Sequence, residues 1–134
     1  MAGFLTDYTN NKVLDSIFGN VPCEWPSYLY FGLSSTTANK LGCINEPPAG
    51  HGYERVQVAN NLFNFTKASY GTKGNLNVIN FDEPTADWGQ IRSVFIADTE
   101  GNVIAMADLT FVKTYNKGSL APRLDVGALF LSHS

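Results

Sequence analysis

Apolar residues along this chain fall into short runs divided by Gly, Pro, Asn and Asp, and only the first run has a helical period. Within residues 3–18 (GFLTDYTNNKVLDSIF), Phe4, Tyr8, Leu14 and Phe18 return on one broad helical face, and Gly19 follows where a helix would stop. The pattern predicts one helix of about four turns within residues 1–19. Its polar side is rich in Asn and Thr, which are mediocre helix formers. Its stability is therefore expected to come from docking the apolar face on its own sheet or on a neighbouring subunit.

After residue 19 the period shortens. Pro22 and Pro26 forbid further helix, and residues 28–33 (YLYFGL) read as the first core strand. Residues 34–52 are polar, carry Pro47 and Pro48, and read as a long surface loop. Strands are expected at 53–58 (YERVQV), 60–66 (NNLFNFT) and 76–81 (LNVINF), with turn glycines at Gly71 and Gly74. Trp88, after the punctuated EPTAD segment, is large enough to cap an open edge of the core. Residues 91–97 (IRSVFIA) and 103–112 (VIAMADLTFV) flank DTEGN, the clearest hairpin signal in the chain, and a last pair is expected at 113–115 and 123–131. Strands so short and closely spaced leave no room for βαβ units. The expected fold is mainly β: a single domain over residues 1–134, with an antiparallel β-sandwich or jelly roll over 20–134 behind a short N-terminal α-helix over 1–19.

Composition narrows the function. At 134 residues the chain can build one core; 44% of it is hydrophobic and only 16% charged, so its surface must be largely Asn, Ser, Thr and Gly, which suits protein contacts. A net charge of −3 with scattered Lys and Arg offers no phosphate-binding field, so no nucleic-acid partner is expected. The start lacks a signal-peptide pattern and no run is long enough to span a bilayer, so a soluble protein with no membrane partner is expected. Cys23 and Cys43 are too far apart for a CxxC pair and read as two reduced thiols, with a disulfide left open.

Catalytic chemistry has little to draw on. His51 lies in the Pro- and Gly-rich loop and His133 is penultimate, so neither is expected to be held in a working geometry. Asp98, Glu100 and Asn102 could offer oxygen ligands to calcium, yet a tight β-turn calls for the same residues. Asp82, Glu83 and Asp87 beside Trp88 bring to mind acidic pairs in sugar-processing clefts but read better as a solvated loop. The sequon at Asn64 lies within an expected strand and reads as incidental. No enzyme activity, cofactor or metal is expected. Tyr28, Tyr30 and Phe31 read as core, and Trp25, in an irregular segment, as an intersubunit contact.

The phrases MAGFLTDYTNNKVLDSIFGN, YLYFGLSSTTAN, GYERVQVANN, ADWGQI and GALFLS follow one another in the order seen in a family of small tailed-bacteriophage virion structural proteins, often labelled phage tail fibre proteins, and the whole chain resembles that family. It is also similar to small jelly-roll cement or decoration proteins of icosahedral capsids. The resemblance implies a virion structural role. The leading expectation is a capsid cement protein, made in the host cytoplasm and placed on the outer surface of the capsid. Its partners would be the major capsid protein and other copies of itself, as a homotrimer. The alternative is a tail-associated or tail-fibre module that reads the host surface with residues 34–52 and 70–75. On either reading the candidate interface is Phe4, Tyr8, Leu14, Phe18 and Trp25, and removing residues 1–19 is expected to weaken assembly more than the sheet.

Overall fold

The computed structural model describes residues 1–132. In chain order the elements are β1 (Ala2–Leu5), α1 (Asp7–Gly19), β2 (Tyr28–Ser34), β3 (Val56–Ala59), β4 (Thr72–Gly74), β5 (Ile79–Asn80), β6 (Gly89–Ala97), β7 (Val103–Tyr115), β8 (Arg123–Leu124) and β9 (Phe130–Ser132).

The DTEGN hairpin organises the fold. One carboxylate oxygen of Asp98 accepts the backbone N–H groups of Glu100 and Asn102, both at 2.9 Å, while Gly101 takes φ +88. These contacts close the turn and set β6 antiparallel to β7. On β6 the registers Phe31↔Ile96↔Ala105 and Leu33↔Val94↔Ala107 place one row of side chains on the inner face. Leu29, Phe31, Leu33, Ile91, Val94 and Ile96 meet Ile79 of β5 and Leu124 of β8 there, in a single core cluster. The layers are a seven-stranded sheet, ordered β3-β2-β6-β7-β1-β9-β4, and a two-stranded sheet β5-β8. Every pair is antiparallel except β1 with β9. The fold is thus mainly β, an antiparallel sandwich with one short N-terminal helix, as expected from the sequence.

The outer face of the large sheet is covered as well. Phe95, Ala97, Val103 and Met106 form a second cluster under Ala38 and Ile44 of the long loop. Phe95 is fully buried, and its ring crosses β2 at Gly32; a Cβ there would stand 2.2 Å from Phe95 Cζ. The loop is clipped in place by Glu46. Its carboxylate accepts two bonds from Arg55, at 2.8 and 2.9 Å, and one from the Tyr53 hydroxyl at 2.7 Å, while that hydroxyl in turn accepts the Leu33 N–H at 3.0 Å. The expected surface loop is therefore a layer of the protein.

Local pattern and structure part company at several places. Residues 2–5 are a strand, not the first turn of the helix: β1 pairs with β7 on one side (Gly3↔Ala107) and β9 on the other (Gly3↔Leu131). Two ladders satisfy more backbone groups than one added turn of a poor helix former. The helix begins after Thr6, whose backbone is extended, and ends at Asn20 in the left-handed region (φ 51) rather than at Gly19. Residues 60–66 form a turn, because the Asn61 side chain accepts the N–H groups of Phe63 and Asn64 and captures the backbone before it can extend. The strand expected at 53–58 is paired over 56–59, and the one expected at 76–81 over 79–80. Gly71 is a turn glycine at φ +73, but Gly74 lies within β4. Residues 113–115 simply prolong β7, and 123–131 divides into β8 and β9 around a bend at Gly127 (φ +73). Trp88 does cap the core, packed against Tyr53 and Tyr115 at ring separations of 5.5 and 5.7 Å.

Candidate interaction surface

The two-stranded sheet covers the end of the inner face near Leu33, Ile91 and Val94, where Leu124 faces them. At the other end the inner face is left open. A groove of about 660 Å³ runs there, walled by Leu5, Trp25, Leu29, Leu62, Ile104 and Leu131, with Lys73 among its lining residues and no acidic residue. Trp25 reaches it because residues 20–27 fold back along the helix. Lys12 donates to the Glu24 carbonyl at 2.6 Å and holds its ammonium 4.4 Å over the Trp25 ring and 5.9 Å from that of Tyr8. The Asn60 side chain donates to the Pro26 carbonyl at 2.9 Å and ties the segment to the far rim.

The helix docks by its polar residues. Thr6 and Thr9 are buried, and their hydroxyls donate to the Val103 and Ile104 carbonyls at 2.6 and 2.8 Å. Leu14, Ile17 and Phe18 point away from the sheet into solvent, Phe18 with 82% of its surface exposed, and Val21 continues the stripe. Of the residues expected at an interface, Tyr8 and Trp25 come together through Lys12, while Leu14 and Phe18 share the open side of the helix. Phe4 is set apart: it belongs to β1, opposite Met106, and not to the helical face assigned to it. Ile17, Leu62 and Lys73 went unnoticed in the sequence. Ile17 stands three residues after Leu14 and would have been found had the helical count begun at Asp7 instead of Phe4.

His51, Asn64, Asp87, Asp98 and Asn102 are occupied within the chain. The two Asp98 oxygens receive Glu100, Asn102 and the Asn102 amide group, so the DTEGN carboxylate closes a turn. An Asp87 side-chain oxygen accepts the Lys117 N–H at 2.9 Å, and Asp82 and Glu83 lie exposed between buried Phe81 and Pro84. His51 is better anchored than its loop implied. Its Nδ1 lies 2.9 Å from the Asp87 carbonyl, and its own carbonyl accepts the Trp88 indole N–H at 2.7 Å. His133 lies outside the described residues. The Asn64 amide is engaged with Ala59 and Asn77, and Cys23 and Cys43 are both free thiols. Burial raises the Glu46 pKa, but the bonds from Arg55 and Tyr53 outweigh it and hold the carboxyl below its ordinary value. Burial, reinforced by the bond to Glu46, pushes the Tyr53 hydroxyl well up. Among the described residues no group of His, Cys, Asp and Glu is placed to hold a metal, and no helix is long and apolar enough to cross a membrane.

Over residues 4–132 the chain matches the family described as podophage GP4 fiber I protein gp80, and it belongs to that family. It is a phage virion structural protein. No curated protein matches it.

Proposed function

We propose that this member of a podophage fibre family is a tail-fibre component, a non-catalytic module that joins other protein of the virion through its apolar surface. The observation that carries this reading is the orientation of α1. A helix that buries its threonines and leaves Leu14, Ile17 and Phe18 in water exposes contiguous apolar surface of the kind that marks a protein contact. The family description names a fibre, which favours the tail over the capsid surface and the fibre alternative over the cement protein first expected. The absence of a catalytic task is supported by the engagement of Asp87, Asp98 and His51 with the backbone.

The clipping of residues 35–52 onto the sheet leaves them little freedom to read a host surface. Tyr70, fully exposed at a tight turn with φ 50, is the better placed host-facing group. Labelling the protein on intact particles and counting its copies tests the reading. A few copies confined to the tail are expected; hundreds spread over the shell would replace the fibre role with cement.

A further inference from the structure

We infer that the open groove takes helix α1 of a second copy of this chain, with Leu14, Ile17 and Phe18 seated against Leu5, Trp25, Leu62 and Leu131 and with Asp15 meeting Lys73. The inference concerns how copies join and holds whichever part of the virion they occupy.

Four observations converge on this occupant. The groove is apolar with a single cation, and Lys73 makes neither of the ion pairs found among the described residues. A ligand for it should be an apolar element carrying one negative charge. Helix α1 has that character: its exposed anchors stand at i, i+3 and i+4, the spacing by which a helix fills a groove, Asp15 lies among them, and its last turn has no basic residue. Its own groove is closed to it, because Thr6 and Thr9 pin the helix to the β7 carbonyls with its apolar side turned outward. Finally, every copy carries both surfaces uncovered, so each can give a helix and receive one, and the contact is heterologous, closing into a ring or propagating according to its rotation.

The full chain is measured by sedimentation across micromolar concentrations. Wild type is expected to self-associate. Ile17→Ser with Phe18→Ser, both at exposed positions that leave the fold intact, should weaken association by at least about tenfold, since each removes the burial of a large side chain. Lys73→Glu should also weaken it, and adding Asp15→Lys to the same chain should restore it.

A second measurement separates helix-in-groove from helix-on-helix contact. In a background of Cys23→Ser and Cys43→Ser, chains carrying Phe18→Cys are mixed with chains carrying Leu62→Cys, and mixed disulfide dimers should dominate. The inference is overturned by a wild type that stays monomeric across that range, by serine variants that associate as wild type does, by a charge swap without recovery, or by Phe18→Cys chains that link only to each other.

Discussion

Replacing Gly32 by alanine tests the double-faced construction of the large sheet. The added methyl would lie 2.2 Å from Phe95 Cζ, 2.5 Å from Cε1 and 2.7 Å from the Tyr53 hydroxyl. The ring cannot swing out, since Phe95 is fully buried beneath the 35–52 loop and is covered by the Arg55 guanidinium at 5.1 Å. Overpacking of this kind costs about 1–3 kcal/mol. Displacing Tyr53 also strips the Leu33 N–H of its partner, and an unsatisfied buried donor costs about 1–3 kcal/mol. Together the loss is about 2–6 kcal/mol, a large part of the roughly 5–15 kcal/mol that holds a domain folded.

The sign makes the experiment decisive. If the Phe95 ring did not cross β2 there, alanine at a compatible backbone would stabilise the strand by about 0.4–1 kcal/mol through the unfolded state. Urea unfolding followed by tryptophan fluorescence reads the difference, because Trp88 packs edge-on against Tyr53. The midpoint should fall by roughly 1–3 M. Phe95→Leu introduced into the alanine variant should recover stability, giving a non-additive double-mutant cycle. An unchanged or raised midpoint in Gly32→Ala would refute the crossing.

Glu46→Gln should lower stability by about 1 kcal/mol at neutral pH, with a partly buried ion pair and two further bonds at stake. Because the folded carboxyl titrates below its ordinary value, its contribution is present above about pH 4.5 and fades as pH falls through the lowered value, so wild type and variant should converge in denaturant melts once the pH lies below it. Asp98→Ala removes the two oxygens that accept three hydrogen bonds in the β6–β7 turn and should cost about 1–2 kcal/mol, with calcium making no difference to either protein's thermal melt. Deleting residues 1–5 should abolish cooperative unfolding seen by near-ultraviolet circular dichroism, since among the described residues β1 alone joins β7 to the β9–β4 edge by strand pairing; a deletion variant that melts like the full chain would remove β1 from the sheet.

The periodicity alone places residues 1–19 on an assembly surface whose removal should weaken assembly more than the sheet, whereas Ala2–Leu5 is itself a paired strand of that sheet. Sequence reading succeeded where structure is decided locally. DTEGN carries its turn chemistry within five residues, and the apolar runs at 28–33, 91–97 and 103–112 are long enough to define β2, β6 and β7. It failed where partners are remote or where a side chain competes with the ladder. AGFL becomes a strand because Ala107 and Leu131 lie on either side of Gly3, more than a hundred residues away. NNLFNFT alternates well, yet Asn61 folds it into a turn. The interaction surface was half visible: Leu14, Phe18 and Trp25 stand out as large apolar residues in unlikely surroundings, whereas Lys73 and Leu131 enter the groove through the β4–β9 and β9–β1 pairings.

The helix concentrates these lessons. An amphipathic helix is read on the premise that its apolar stripe is the buried one. Here the threonines take that place, because Thr6 and Thr9 can donate to carbonyls of β7 that a leucine would leave without these bonds. The Ile104 carbonyl accepts the Thr6 N–H at 3.0 Å, the Thr6 hydroxyl at 3.1 Å and the Thr9 hydroxyl at 2.8 Å. Thr9→Val keeps the shape and removes one of these donors without orphaning the acceptor, so it should cost only about 0.5–1.5 kcal/mol. Its effect should be local: faster hydrogen exchange across residues 7–19, with the amides of β6 and β7 unchanged. Exchange in the helix no faster than in wild type would mean that the apolar stripe, and not the threonines, holds α1 to the sheet, and the surface assigned to a second copy would then already be spoken for within the chain.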